Sequence, residues 1–363
     1  MRKKIKLGVL LTTLLTLTSC SQSCDRLFWA LLDALRFVYI ATTLGVFGLN
    51  GATAFLVVAL GSIVCDDILA PEVYVDSSLS RISPWGNAPE FRISANRSQA
   101  QPLVVTSGKP TMYIVSSSTN AVYAVDSRTD VVITKITVGN GPTRGAIDSV
   151  ASEMYVTNTQ SDSISSINLK TNQATGTIPL LAGSRPSGIV ITHDGKQMYV
   201  INSALNSVSA VDPEAGRILT TFAVGAGPSA IALTPDDSLL YVANSRDNTI
   251  WVIDTLTNER VTIVTGITNP TAIAFNRQGS TAYITSGVSP VGTLVLLRTE
   301  DYTVRTRINV GSNPVNVTRD RYDTLIYVVN KGSNNVTIIN SSDNSVAGAI
   351  ALGGAPNAVV SIP

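Results

Sequence analysis

One short motif recurs along most of this chain: an apolar residue, a tyrosine, and then isoleucine or valine. The motif has a nearly fixed spacing of 42, 44, 42, 42 and 44 residues between its tyrosines, which are Tyr113, Tyr155, Tyr199, Tyr241, Tyr283 and Tyr327. A fixed period in this range is typical of repeat architectures, in which each unit buries its apolar face against the next. The motif therefore constrains the fold more strongly than it constrains the activity.

A proline after a turn provides a second landmark with the same period. Five of these prolines precede the next tyrosine by thirteen residues, and the set is Pro142, Pro186, Pro228, Pro270, Pro314 and Pro356. Between the landmarks, β-branched runs alternate with Asn, Asp, Gly and Pro, which predicts four short strands in each unit. Four strands in about 40–45 residues is the arrangement of a β-propeller blade.

Two sets of Asn and Asp residues are interpreted as turn residues rather than metal ligands, because their side chains bond to nearby backbone. One set lies thirteen residues after the tyrosines and comprises Asp126, Asn168, Asp212, Asp254 and Asn340. The other set ends the tyrosine strands, where asparagine would cap the turn and tolerates a left-handed backbone, and comprises Asn158, Asn202, Asn244 and Asn330.

The run Tyr155-Val156-Thr157-Asn158 and the recurring Val-Gly-x-x-Pro return resemble the YVTN family of β-propeller repeats. The resemblance extends over residues 102–363. It implies a propeller, commonly of seven blades. It implies no single activity, because related propellers include binding modules, surface-layer proteins and lactonase-like enzymes.

Segments near both ends of the sequence resemble the strands of one further blade. Six units run from 102 to 355, and one more opening strand follows at Pro356. Upstream, Val73-Tyr74-Val75-Asp76, residues 79–83 and residues 90–94 resemble the other three strands of a unit. We therefore predict an all-β fold over 71–363: a seven-bladed β-propeller closed by N- and C-terminal strands in one blade, with the C-terminal strand innermost.

The first residues have the pattern of a bacterial lipoprotein signal peptide. A basic start is followed by an apolar stretch, and Leu17-Thr18-Ser19-Cys20 resembles the lipobox. The resemblance implies cleavage after residue 19 and a lipid on Cys20; an ordinary signal or an uncleaved anchor is the alternative. Ser21 stands where the family's sorting rule has an aspartate for inner-membrane retention. We expect an exported, lipid-anchored protein of the bacterial cell envelope, with the outer membrane favoured over the inner.

A second apolar segment lies between the signal and the repeats. Residues 37–64 carry no charge, but Gly48-Leu49-Asn50-Gly51 indicates a turn. We therefore expect an apolar α-helical hairpin at 25–65, within a membrane-associated region of 20–70, in preference to a single membrane-spanning helix. Cys24 and Cys65 lie at the two ends of this hairpin, and a disulfide or two free thiols remain open.

The repeats contain no pattern typical of catalysis. His193, the single histidine, lies in the turn Thr192-His193-Asp194-Gly195, and no cysteine follows residue 65. We predict no catalytic residue, no metal and no cofactor. Two residues after the landmark proline, Arg144 and Asn316 replace the small residues of other units, such as Gly188. They are candidate ligand contacts in the central channel, although a solvated channel tolerates such residues without function.

The charge balance and the motifs leave two classes of function. Basic and acidic residues number 26 and 25, which gives no basic face for nucleic acid. The favoured class is a non-catalytic envelope lipoprotein, attached to the membrane through Cys20 and residues 25–65, that binds a protein or glycan partner as a scaffold. The alternative is an exported propeller enzyme with a sugar-lactonase-like or quinone-cofactor activity in the channel.

Overall fold

The computed structural model describes residues 73–75, 80–82, 100–105, 111–126, 131–287, 290–320, 322–352, 356 and 359–361. The predicted signal peptide, the hairpin at 25–65 and all three cysteines lie outside these residues. Within the described ranges, no helix has the length and apolar character needed to cross a membrane.

The described repeats form six antiparallel sheets of four strands, each built from one sequence unit. Each sheet is one blade, and the landmark prolines at 142, 186, 228, 270 and 314 begin the first strands of blades two to six. The strands of the six blades, in chain order, are: β3 Ala100–Val105, β4 Thr111–Ser116, β5 Ala121–Asp126 and β6 Val131–Thr137; β7 Pro142–Asp148, β8 Glu153–Asn158, β9 Ser163–Asn168 and β10 Gln173–Pro179; β11 Pro186–Ile191, β12 Met198–Asn202, β13 Ser207–Asp212 and β14 Arg217–Ala223; β15 Pro228–Leu233, β16 Leu239–Asn244, β17 Thr249–Asp254 and β18 Arg260–Val264; β19 Pro270–Phe275, β20 Thr281–Ser286, β21 Gly292–Arg298 and β22 Val304–Val310; and β23 Pro314–Arg319, β24 Leu325–Asn330, β25 Asn335–Asn340 and β26 Val346–Ala351.

The two ends of the propeller sequence meet in a smaller sheet. It contains β1 Val73–Val75, β2 Ser80–Ile82 and β27 Val359–Ser361, in the order β2-β1-β27. Tyr74 of β1 pairs with Val360 of β27, and β27 lies against β3 and β23, the first strands of the first and sixth blades.

The predicted count of seven blades is therefore corrected: the described residues form six four-stranded blades and a terminal sheet in which three strands of three residues each are described. Its sequence explains the short strands, because Asp76 follows β1 at once and Pro84 comes two residues after β2, and both residue types disfavour strands. The fourth strand predicted at 90–94 lies outside the described residues.

The core lies between neighbouring blades rather than within one sheet. The second strands are almost completely buried because both of their faces are covered, whereas the fourth strands are largely exposed. Tyr199 and Ile201 of one blade pack with Leu240 and Val242 of the next. This arrangement explains the recurring tyrosine: its ring fills the space between two blades, and the Tyr199 hydroxyl donates to the Thr255 carbonyl of the next blade at 3.0 Å.

Each blade has two ends, which form two faces of the propeller. The loop face carries the connections from the second to the third strand and from the fourth strand to the next blade. The turn face carries the connections from the first to the second strand and from the third to the fourth. On the loop face, the fourth residue after each of five second strands is Asn or Asp with a φ of 44–58°: Asn120, Asp162, Asn206, Asn248 and Asn334.

Candidate functional site

A shared irregularity shapes the first strands, which surround the propeller axis. In all six blades the pairing register shifts one or two residues after the strand begins, as between Pro142 and Arg144 or between Pro314 and Asn316. A bulge of this kind redirects the side chains beside it. In three blades the hydroxyl next to the proline donates to the proline carbonyl of the following blade: Thr143 to Pro186 at 3.4 Å, Ser229 to Pro270 at 2.7 Å and Thr271 to Pro314 at 2.7 Å.

Arg144 and Asn316 occupy equivalent positions beside these bulges, opposite Thr157 and Val329 respectively. Both residues are partly exposed. The expected crowding at this position is present at Gly188, where an added Cβ would lie 2.8 Å from Ile201 Cδ1 and 3.1 Å from Ile231 Cγ2. A larger side chain at this position must therefore be directed away from the neighbouring strands.

Arg144 and Asn316 lie in different blades. Arg144 lies on β7, which packs against β3 and β11, whereas Asn316 lies on β23, which packs against β19 and β27. Both are on first strands, of the second and sixth blades respectively. The prediction that either contacts a ligand stays a prediction.

Threonine hydroxyls connect the second and third blades beside Arg144. The Thr143 hydroxyl lies 3.0 Å from those of both Thr157 and Thr159, and Thr159 donates to the Pro186 carbonyl at 2.6 Å. The Arg144 backbone N–H donates to Thr157 Oγ1 at 3.2 Å. These bonds hold Arg144 close to the loop that ends at Pro186.

That loop, residues 180–185, is a feature of the loop face that the sequence analysis missed. Asp162 holds it: the carboxylate accepts from the Gly183 N–H and the Arg185 N–H, both at 2.8 Å. The N–H groups of Arg185 and Gly183 lower the pKa of the Asp162 carboxyl, so it stays ionised. Arg185 is exposed and has a φ of 48°, a conformation uncommon for arginine. The interval of 44 residues between Tyr155 and Tyr199 was the sequence signal, because this loop has six residues where the next blade has four.

His193 lies in a turn on the turn face, as predicted from the sequence. Its Nδ1 is 2.8 Å from Asp237 Oδ1, and its backbone N–H donates to Asp237 Oδ2 at 2.7 Å. The side chain of His193 is 74% exposed. The pair therefore joins two adjacent turns of the third and fourth blades at the surface.

The two sets of Asn and Asp residues have different outcomes. Side chains of the first set bond turn backbone as predicted: Asn168 Oδ1 accepts from the Lys170 N–H, and Asp254 Oδ1 accepts from the Leu256 N–H. The second set does not adopt the left-handed backbone that asparagine tolerates. Those asparagines are buried at the ends of second strands, and Asn158 Nδ2 donates to Ser165 Oγ at 3.0 Å. Left-handed residues occur four positions later, at the last residue of the four-residue connection to the third strand.

Acidic residues are distributed unevenly between the two faces. On the loop face of the described blades the carboxylates are those of Asp162 and Asp247, and Asp247 accepts from the Ala226 N–H at 2.5 Å. Basic residues at or beside this face are Arg144, Arg185, Arg246, Arg307 and Lys331. Arg307 donates to the Gly266 carbonyl at 2.9 Å. The turn face carries the other described carboxylates: Asp126, Asp148, Glu153, Asp194, Asp212, Glu214, Asp236, Asp237, Asp254, Glu259, Glu300, Asp301, Asp320, Asp323 and Asp343. Despite this number, no group of three or more His, Cys, Asp or Glu among the described residues could hold a metal ion.

Comparison with known proteins shows that this chain is similar to β-propeller proteins. One family model, described as a YNCE-like β-propeller, matches residues 194–362, and another, described as a lactonase with a seven-bladed β-propeller, matches residues 122–258. No curated protein matches the sequence.

Two solved structures illustrate the similarity in fold. The hydrazine synthase of Kuenenia stuttgartiensis superposes with a TM-score of 0.66 at 19% identity, covering 75% of this chain and 92% of that chain. A functionally unknown protein from Desulfotomaculum acetoxidans superposes with a TM-score of 0.69 at 17% identity, covering 81% and 99%. Together with the six described blades, the family matches support the assignment of this chain to a β-propeller family.

Proposed function

We propose that this protein is a bacterial cell-envelope lipoprotein whose propeller acts as a binding and scaffold module for a partner. The observation that carries the proposal is the position of His193, which bonds Asp237 in an exposed turn on the turn face. General acid/base catalysis needs a titratable group within hydrogen-bond reach of a substrate. Beside the axis, the Ser229 and Thr271 hydroxyls instead bond the proline carbonyls of neighbouring blades, so they serve the fold rather than catalysis.

The proposal includes the organisation expected from the sequence. Residues 1–19 are a signal peptide, Cys20 carries the lipid, and residues 25–65 form an apolar hairpin whose ends Cys24 and Cys65 are candidates for a disulfide. The repeats are of the YVTN type, and the sheet of β1, β2 and β27 joins the two ends of the array to close the ring. Pairing of β27 with β1 and its contacts with β3 and β23 support this closure.

The variant Cys20→Ala tests the lipid anchor. We expect it to lose incorporation of labelled fatty acid and to move from the membrane fraction to the soluble fraction, because a lipid chain supplies about 0.8 kcal/mol of membrane affinity for each buried CH₂. Cys24→Ala is the matched control and should keep the label. If Cys20→Ala loses the label but stays with the membrane, residues 25–65 anchor the protein independently; unchanged labelling would contradict lipidation.

Purification from gently solubilised membranes, followed by mass spectrometry, tests the scaffold function. We expect a stoichiometric envelope partner to accompany the tagged full-length protein. Recovery of the protein alone would contradict the proposal.

A second candidate is an exported enzyme with lactonase-like activity. The specific observation in its favour is the lactonase family match over residues 122–258, which includes Arg144. An arginine beside the axis could polarise a lactone carbonyl during hydrolysis. Hydrolysis of sugar lactones that is lost in Arg144→Ala would favour this candidate over the binding module.

A further inference from the structure

The loop face carries a rigid surface between the second and third blades. We define it as the loop pair, residues 180–185 and 203–206. Beyond the bonds from Asp162, the Ala204 N–H donates to the Ser184 carbonyl at 3.2 Å, and the Ser203 hydroxyl donates to the Arg185 carbonyl at 2.6 Å. The two loops are therefore fixed to one another before any ligand arrives, which lowers the entropy cost of binding.

The exposed side chains of the loop pair combine apolar and cationic character. Leu181 and Leu205 are 42% and 45% exposed, one on each loop, and Arg185 is exposed beside them. Arg144 lies on the adjacent blade, where Thr159 links its strand region to the Pro186 carbonyl. An apolar side chain next to an arginine suits a ligand that offers both methyl groups and carboxylates.

The charge of the loop face points to an anionic ligand. Its two carboxylates are engaged by backbone N–H groups, Asp162 with Gly183 and Arg185, and Asp247 with Ala226. Both carboxylates stay charged, but the basic residues of this face outnumber them, so the face as a whole attracts anions. The acidic turn face would instead attract cations.

We propose that the loop pair binds an acidic, partly apolar segment of a partner protein. This inference rests on the proposed binding function and identifies its site and ligand class. Carboxylates of the segment form bidentate hydrogen bonds with the Arg185 guanidinium. Apolar side chains of the segment cover Leu181 and Leu205. A protein is favoured over a glycan because the described loop-face connections contain no Phe, Tyr or Trp that could stack on a sugar ring.

The test measures peptide binding to the full-length protein in detergent. The probe is a fluorescent peptide of alternating Glu and Leu, and the comparison peptide has Gln in place of Glu. We expect only the Glu peptide to bind, with an affinity that falls as salt rises, because the contact is partly ionic. Arg185→Gln should weaken binding by about ten- to a hundredfold, since a charge-assisted hydrogen bond contributes about 1.5–3 kcal/mol. Leu205→Ser should also weaken it, through the lost apolar contact.

Two further variants separate binding from folding. Lys170→Gln changes an exposed basic residue of the turn face and should leave binding unchanged. Asp162→Asn removes the charge that holds residues 180–185 and should weaken binding without removing any side chain of the loop pair. Each variant is compared with the wild type by its melting temperature, so that an unfolded variant is recognised.

Three outcomes would overturn the inference: equal binding of the Gln peptide, unchanged affinity in Arg185→Gln, or binding of polygalacturonate in place of the peptide. The purification from membranes separates this inference from the proposed function. If Arg185→Gln still recovers the partner at full yield, the scaffold function stands and the loop pair is not its site. If the wild type recovers none, the scaffold function itself fails.

Discussion

Each recurring tyrosine contributes a buried ring and a hydroxyl, and comparison of the repeats distinguishes the two contributions. The ring is buried in all six blades, and in the first five it belongs to an apolar cluster that joins two neighbouring blades. The hydroxyl differs from blade to blade. Tyr199 donates to the Thr255 carbonyl at 3.0 Å, whereas the buried hydroxyl of Tyr241 has no hydrogen-bond partner among the described residues. Burial raises the pKa of both hydroxyls, so both remain protonated at neutral pH.

These two tyrosines form a matched pair for mutation to phenylalanine. Tyr199→Phe should lower the free energy of unfolding by about 1 kcal/mol, because it removes a hydrogen bond and leaves a buried carbonyl with one partner fewer. Tyr241→Phe should be neutral or slightly stabilising, because it removes a buried polar group and keeps the edge-to-face contact with Phe275 at 5.0 Å. Denaturant unfolding of both variants checks this, and equal losses would contradict the separation of roles.

Residue-scale predictions from the sequence succeeded where chemistry is local. The turn roles of Asn168 and Asp254 follow from side-chain bonds to backbone two or three residues away. The buried role of Asn158 was missed, because it depends on Ser163 and Ser165 of the adjacent strand. A pattern of residue types cannot tell an asparagine that ends a strand from one that forms the turn.

At the scale of elements, the Val-Gly turn and the tyrosine strand depend on one another. A Cβ added to Gly225 would lie 2.7 Å from Asn244 Cγ and 2.7 Å from Asp247 Oδ2. An equivalent close approach joins Gly139 to Asn158 and Gly311 to Asn330. The two motifs share a period because each connection between blades packs directly on the end of a second strand.

The variants Gly225→Ala and Gly176→Ala test this dependence. Gly225→Ala should lower the free energy of unfolding by about 1–3 kcal/mol, because the new methyl group overlaps a buried asparagine. At Gly176 in β10, an added Cβ meets no atom within 4 Å, so Gly176→Ala should be neutral or raise stability by up to about 1 kcal/mol. Thermal unfolding distinguishes the two, and a neutral Gly225→Ala would show that the turn can move away from Asn244.

The sequence predicted the type and order of the strands, but it did not predict irregular features such as the loop at 180–185. Prolines and tyrosines correctly indicated where β11 and β12 lie, because turn chemistry and β-branched runs are local signals. The six-residue loop before Pro186 appeared in the sequence only as a longer interval. Its conformation depends on Asp162, which belongs to another hairpin more than twenty residues away along the chain.

At the scale of the molecule, the order of strands explains how the array ends without an exposed edge around its axis. β27 comes last in the chain but pairs with β1, the first described strand, and it contacts β3 and β23 on either side. The sequence predicted this pairing from an incomplete final unit, whereas the fourth strand that it predicts at 90–94 lies outside the described residues. Closure of this kind joins the ends of the array through hydrogen bonds.

A shortened chain that ends at residue 357 tests the importance of this closure. It lacks β27, so β1 and the first strands of the flanking blades lose their neighbour. We expect a melting temperature several degrees lower, because each kcal/mol of lost stability lowers it by about 4–8 °C in a small domain and by less in a larger one. We also expect concentration-dependent aggregation through the exposed strand edges. A chain that lacks only Pro363 is the control and should melt with the wild type. An unchanged melting temperature in the shorter chain would mean that six blades hold the ring without the terminal strand.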